Sequence, residues 1–220
     1  MALPQKKLPS EADLLAVLLQ PVREFAAQGL IRRYKAHTIL IEEGDLSDTV
    51  FVVLTGTLRI YCSDYSGREI TLALYGPGEY VGEMSLDGGP RSASVVTESE
   101  CVCSVVAGQT LRNHLAQVPV FALEMIRRLI RRARLATNSA RSLALLGAYA
   151  RFVKLFDELA LLQRDGTRLI AQHLTHQQIA QRVGCSREMI SILLKDLANG
   201  GYLELRQRQY VLLKHLPERW

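Results

Sequence analysis

Hydrophobic and polar positions change period once along this chain. From about residue 31 to residue 106 they alternate in short, β-branched runs: TILIEE from Thr38, TVFVVL from Thr49, TLRIYC from Thr57, EITLALY from Glu69, SASVV from Ser92 and CVCSVV from Cys101. Gly44-Asp45, Thr55-Gly56, Ser66-Gly67 and Gly76-Pro77-Gly78 punctuate them, so each run predicts a strand and each break a turn. Many short strands at this rhythm predict a β-sandwich or a barrel-like roll.

From about residue 110 the period becomes helical. Ala122, Ile126, Leu129, Ala133, Ala136, Ala140 and Leu143 recur at spacings of four and three, an a/d seam of three heptads. Arg127, Arg128, Arg131, Arg132 and Arg134 flank this narrow stripe, which predicts that the rest of the helix is solvated. The stripe then needs a partner, and a second copy in a symmetric homodimer supplies one; the competing reading is a helix packed on its own domain. The helix is expected to end near Gly147. ARFVKLFDELALL predicts another amphipathic helix, followed by a polar stretch, a short strand and two further helices. YLEL and YVLL around Arg206-Gln207-Arg208-Gln209 close the chain as a β-hairpin. The pattern is α+β, with predicted divisions at 1–110, 111–146 and 147–220.

The segment LTHQQIAQRVGCSREMISILLKDL carries the strongest chemical signal. Thr175 with Gln178 has the form of a capping box, Gly184 suits a left-handed turn, and Ser186 is placed to cap the next helix. In that second helix Met189, Ile190, Leu193, Leu194 and Leu197 predict the buried stripe. Arg187, Glu188, Ser191, Ile192 and Lys195 form the outer face. Such a face fits a helix lying in the major groove of double-stranded DNA, where Arg pairs with guanine and Glu accepts from cytosine. Thr175, Ser186, Arg206 and Arg208 are candidates for the phosphates, and His176 is a further DNA-binding candidate. A solvated helical hairpin is the alternative, but Ile192 on a merely solvated face argues against it.

Charge sharpens this division. Residues 1–110 hold nine Lys/Arg against fourteen Asp/Glu, and residues 111–220 hold eighteen against eight, so a net charge of +5 conceals an acidic half and a basic half. A basic half that is not a tail points to phosphate backbones. No run approaches the ~20 apolar residues of a membrane span, and the start MALPQKKLPSEADLL lacks a signal-peptide layout. A cytoplasmic protein without a membrane partner is expected. Cys62, Cys101, Cys103 and Cys185 suggest no disulfide framework. Cys101 and Cys103 share one strand face and read as core packing, and no metal site is expected.

The run YVGEMSLDGGPRSASVV is the other informative stretch. Gly82-Glu83 opens what reads as one helical turn, and Arg91-Ser92 returns eight residues later past Gly88-Gly89-Pro90. Arg91 and Ser92 are placed to hold a phosphate while Glu83 accepts from sugar hydroxyls. The residues alone equally allow a surface Glu83–Arg91 ion pair beside a Gly-rich turn.

Taken in order, the β-roll with GEMSLDGGPRSAS, the seam helix and the closing GCSREMIS segment resemble the CRP/FNR family of bacterial transcription regulators over about residues 15–213. The resemblance implies a cyclic-nucleotide-binding β-roll, a dimerisation helix and a winged helix-turn-helix, with no catalysis. It places Glu83 on the ribose 2′-hydroxyl, Arg91 and Ser92 on the cyclic phosphate, and the backbone of Gly82 and Met84 beside them. cAMP-binding relatives carry two adjacent hydroxyl residues on the dimer helix, and here those positions are Ala136 and Thr137. The missing hydroxyl leaves the base preference open between cAMP, cGMP, another nucleotide and a vacant pocket. The first cysteine is Cys62, which excludes an N-terminal iron–sulfur cluster of the family's oxygen sensors. The hinge carries Gly147 where relatives often have a capping Asp, predicting a looser hinge. Ile192 replaces a base-reading Arg and predicts contact with a thymine methyl. Double-stranded DNA with a palindromic site, a second copy of the chain and RNA polymerase are the candidate partners. The alternative from another class is a ligand-binding module whose helical end docks a protein.

Overall fold

The computed structural model describes residues 10–217. The first nine residues, part of the start read above, lie outside them. The chain divides into two compact units, one comprising the chain up to Cys62 with Leu72–Arg132, the other Ser63–Thr71 with the chain from Ala133 onward.

The first unit opens with two short helices, α1 (Glu11–Ala16) and α2 (Val22–Ala26). The strands follow as β1 (Leu30–Tyr34), β2 (Ile39–Ile41), β3 (Val50–Thr55), β4 (Leu58–Ser63), β5 (Glu69–Tyr75), β6 (Tyr80–Val81), β7 (Ser94–Thr97) and β8 (Cys101–Val106). They form two four-stranded sheets, ordered β1-β8-β3-β6 and β2-β7-β4-β5. The predicted β-roll is present, and each predicted run holds a strand. Alternation along β3 explains why two cores form. Val50, Val52 and Leu54 face α1 and α2, joining Leu14, Leu18, Phe25, Phe121 and Met125. Phe51 and Val53 face the other way, joining Ile41, Leu58, Val95, Cys101 and Cys103. Burying each such side chain contributes roughly 1.5–3 kcal/mol. Both cysteines of CVCSVV are thus core residues on one face, and burial pushes the Cys103 thiol up to about 12.

Two further helices follow, α3 (Gly108–Gln117) and the 27-residue α4 (Pro119–Leu145). The end of α4 agrees with the predicted break near Gly147. Its surface needs a correction, because Arg128 and Arg132 are not part of a solvated flank. Phe121, Met125, Arg128 and Arg132 make a second stripe at spacings of four, three and four that faces the β-domain. Phe121 and Met125 are buried, and the two guanidinium side chains are only 13% and 18% exposed.

In the second unit α5 (Ala148–Leu159) leads into β9 (Ala160–Leu162) and β10 (Arg168–Ile170), then α6 (His176–Val183), α7 (Arg187–Asn199), β11 (Leu203–Arg206) and β12 (Gln209–Leu212). The strands form one antiparallel sheet, β11-β12-β10-β9. The ALL that closes the predicted helix is instead a strand, since its pairing with Leu169 and its neighbours outweighs helical propensity. Phe152, Phe156, Ile170, Ile179, Val183, Ile190, Leu194 and Leu197 form the core. Gln207 and Arg208 both take positive φ, 48° and 66°, as a two-residue turn matched to strand twist requires.

Candidate functional site

The cassette predicted between Gly82 and Ser92 is a 3₁₀ turn over Glu83–Asp87, entered by Gly82 at φ 95° and left by Gly88 at φ 82°. Gly82 is required on two counts. Its backbone is left-handed, and a Cβ there would lie 2.4 Å from the Thr49 carbonyl oxygen and 2.8 Å from Arg91 Nη1. Arg91 is turned inward and is 5% exposed. Its Nε donates to Ser47 Oγ at 3.0 Å, Nη1 to Gly82 O at 2.8 Å and Ser85 Oγ at 3.3 Å, and Nη2 to Thr49 O at 2.6 Å. Four of the five guanidinium hydrogens are therefore committed to the protein, so Arg91 rivets the turn to the loop before β3. Burial lowers its pKa, opposed by Asp48, Glu83 and Asp45. Ser92 stays at the surface with its hydroxyl against Met84 Sδ at 3.3 Å, and Met84 is exposed.

Glu83 is 4% exposed. The Glu83–Arg91 surface pair that the residues alone allowed is absent; Glu83 Oε1 accepts instead from Arg132 Nη1 at 2.6 Å. Arg132 Nη2 also donates to the Tyr80 carbonyl at 2.8 Å and to Glu79 Oε2 at 3.0 Å, and its guanidinium lies 4.4 Å from the centre of the Tyr75 ring. Burial pulls the Arg132 pKa down, but Glu83, Tyr75 and Glu79 more than offset it and hold the cation. Arg128 completes the row, donating to Gly78 O and to Glu124 at 2.8 Å each. Sequence reasoning missed Arg132. The usable signal was the second stripe of α4, whose spacing places Arg128 and Arg132 on the helix face that begins with Phe121 and Met125.

The predicted seam is divided cleanly from that stripe. Ile126, Leu129, Ala133, Ala136, Ala140 and Leu143 are exposed in the single chain, and Ala122 is half-buried. Exposed Leu123 and Ile130 widen the apolar strip beyond the seven expected positions. Thr137 is exposed, and its hydroxyl donates to the Ala133 carbonyl one turn back at 3.0 Å.

In the second unit the local chemistry follows the sequence closely. Gln178 N donates to Thr175 Oγ1 at 3.2 Å while Thr175 N donates to Gln178 Oε1 at 2.9 Å, a complete capping box at the start of α6. Gly184 takes φ 71°, and Ser186 Oγ accepts from Met189 N at 3.2 Å to cap α7. Ile190, Leu193, Leu194 and Leu197 are buried, but Met189 is not part of that stripe: it is 45% exposed, one turn from Ile192 at 59%. The helical phase explains this, since Met189 lies about 100° from Ile190 and three residues before Ile192. Arg187, Glu188 and Lys195 are exposed alongside. Ser191 is turned back, donating to Arg187 O at 3.0 Å and bonded to His176 Nδ1 at 2.8 Å. Arg206 pairs with Glu204 within β11 and Arg208 is exposed at the hairpin turn. Gly147 caps α5 at φ −65°, ψ 163°, so it is extended rather than helical and no side-chain cap is present. The expected loosening therefore reduces to a missing cap bond, and Gly in place of a capping residue costs only a few tenths of a kcal/mol.

Comparison with known proteins agrees with both halves. Residues 31–118 match the family described as cyclic nucleotide-binding domain, and residues 150–217 the Crp-like helix-turn-helix domain. The chain is 30% identical over 208 residues, 93% of its length and 88% of the relative's, to a CRP-like cAMP-activated global transcriptional regulator of Mycobacterium tuberculosis. It is 29% identical over 210 residues, 90% of each chain, to the CRP-like protein Clp of Xanthomonas oryzae pv. oryzae. Among solved structures, CLP of Xanthomonas campestris, described as a c-di-GMP-responsive global regulator, superposes with a TM-score of 0.78 at 27% identity, covering 88% of this chain and 98% of that one. With a β-domain bearing the cassette, a capped helix-turn-helix presenting Arg187 and Glu188, and these relatives along nearly its whole length, the chain belongs to the CRP/FNR family of DNA-binding transcription regulators.

Proposed function

We propose that the protein acts as a homodimer whose affinity for a palindromic DNA site is set by a cyclic nucleotide held at the Gly82–Ser92 cassette. The observation that carries this reading is the cassette itself. A carboxylate and a guanidinium, 4% and 5% exposed, are organised around one 3₁₀ turn held open by a left-handed glycine. Burying two charges is costly unless they are fully partnered, and a fold that keeps them has a use for them. One oxygen of Glu83 takes Arg132 and the other is offered to a ribose hydroxyl. The surface hydroxyl of Ser92, the backbone around Gly82 and Met84, and the remaining Arg91 N–H take the phosphate. The relatives are named for cAMP and for c-di-GMP, which share a cyclic phosphodiester. Ala136 offers no hydroxyl and Thr137 spends its own on Ala133, so the base is read weakly from these positions.

On the DNA side the reading assigns Arg187 to a guanine, Glu188 to a cytosine amine and Ile192 to a thymine methyl. Thr175, His176, Ser186, Lys195, Arg206 and Arg208 take phosphates. Ser191 spends its hydroxyl on the Arg187 carbonyl and His176. The exposed stripe from Ile126 to Leu143 forms the dimer seam, which sets the two heads about 34–36 Å apart. The divisions at 1–110, 111–146 and 147–220 follow as sensor, seam helix and reading head. RNA polymerase is the remaining partner of this reading.

A thermal-shift screen of cAMP, cGMP and c-di-GMP, followed by gel shift with the nucleotide that stabilises, tests it. One nucleotide is expected to raise the melting temperature and change DNA affinity, and Ser92→Ala to weaken both. Arg91→Ala is a poorer variant, because it also removes the rivet. A second reading, a regulator whose cassette is satisfied from within and needs no effector, is favoured by the internal partners of Glu83 and Arg91; it predicts no shift with any nucleotide and undiminished DNA binding.

A further inference from the structure

We propose that Arg151 is the positioning residue that fixes the reading head to the end of the long helix. The inference goes beyond the assignments above and rests on the DNA-binding reading. Arg151 lies on the first turn of α5, and its one guanidinium reaches three carbonyls on two other segments. Nη1 donates to Leu146 O at 2.6 Å, Nε to Val183 O at 2.7 Å and Nη2 to Gly184 O at 3.1 Å. Leu146 directly follows α4, Val183 is the last residue of α6, and Gly184 is its C-cap. Both segments are helix C-termini, where carbonyls lack intrahelical partners and the helix dipole is negative. A single cation set between two such ends satisfies both at once, and only a planar fork with divergent N–H groups reaches three oxygens in fixed directions.

The position of this clamp gives it a role beyond stability. Gly184 is the turn of the helix-turn-helix, and Ser186 caps α7 two residues later. Whatever fixes the Gly184 carbonyl relative to Leu146 fixes the direction in which Arg187 and Glu188 point relative to the seam helix. Gly147, between the two helices, supplies no side-chain cap to α5. A palindromic site demands a fixed head, because each added base pair rotates one half-site by roughly 35°.

The test uses full-length protein, with and without the nucleotide that stabilises it in the thermal-shift screen, carrying Arg151→Lys, which keeps the charge without the fork, or Arg151→Gln, which removes both. Anisotropy titrations on palindromic duplexes whose half-site spacing is lengthened or shortened by one and two base pairs are read beside thermal melting. The wild type is expected to prefer one spacing by about tenfold or more, as a rigid bivalent reader does. Both variants are expected to flatten that preference to within about threefold while keeping the wild-type salt dependence, which reports phosphate contacts alone. A merely structural role lowers melting and leaves spacing selectivity intact, so variants that are folded and still discriminate like the wild type overturn the proposal. If Arg151→Gln does not fold, Arg151→Lys decides. Wild-type protein that binds no duplex overturns this proposal together with the DNA-binding reading, whereas tight wild-type binding with unchanged variants overturns this one alone.

Discussion

The cassette in the β-domain and the helix-turn-helix hold their charged residues in opposite ways. In the helix-turn-helix, Arg187, Glu188 and Lys195 stand in solvent on a helix capped by its own sequence neighbours. Their partners are external to the chain. In the cassette, Glu83 and Arg91 are buried and already bonded, to Arg132 at 49 residues' distance and to Thr49 at 42. On the proposed reading, a nucleotide entering there meets groups already bonded within the protein, while DNA meets an α7 face whose Arg187, Glu188 and Lys195 stand in solvent. On that reading, ligand control works through the atoms that the internal partners leave over, and its strength depends on how differently the ligand binds the two states of the chain.

The contrast predicts where substitutions hurt. The largest effect is expected from Arg132→Ala, which leaves the Glu83 carboxylate buried and unpaired and costs about 3–5 kcal/mol of β-domain stability. Denaturant unfolding measures it, and the double replacement with Glu83→Gln is expected to recover a substantial part. An Arg132→Ala protein as stable as the wild type breaks the idea of an internally satisfied cassette. Gly82→Ala comes next, at about 1–3 kcal/mol for a non-glycine residue in the left-handed region, with added clash against Thr49 O. Arg187→Ala is expected to leave melting unchanged and to cost about 1–3 kcal/mol of binding at one base position. An equal loss on every sequence reassigns it to a phosphate.

The smallest effect concerns His114, buried against Phe25 and Phe121. Its Nδ1 accepts from Gln28 Nε2 at 2.7 Å, and its Nε2 is buried without a partner among the described residues. Burial lowers its pKa below the ordinary 6.5. The unfolded imidazole takes up a proton as pH falls through that value while the folded one resists, so β-domain stability is full above about pH 6.5 and declines below it. His114→Gln is expected to flatten this decline in melting measured between pH 7.5 and 5, and an unchanged slope assigns it to other groups.

The same contrast explains what the sequence makes legible. Capping boxes, turn glycines and strand runs are written within three to eight neighbouring residues, so Thr175, Gly184, Ser186 and the punctuated strands of the β-roll are readable directly. Arg132 and the Arg151 clamp depend on contacts tens of residues away in the chain. An arginine beside an apolar stripe looks solvated until the facing surface is known, which is why Arg128 and Arg132 read as a flank. Met189 was misplaced for a smaller reason: it lies at the border of the buried arc of α7, where one step in phase decides exposure. The two-residue strand β6 and the helices α1 to α3 carry no period long enough to stand out.

On the proposed reading, the basic half of the chain reads duplex DNA through exposed charges of its own. Fluorescence anisotropy of full-length protein on a palindromic duplex selected from a random pool, with and without cAMP, cGMP and c-di-GMP and titrated between 50 and 200 mM salt, tests it most directly. A loss of affinity of about 10³-fold or more over that range, as follows from neutralising six or more phosphates, is the predicted result. Affinity that is flat with salt, or no binding to any selected duplex, contradicts it.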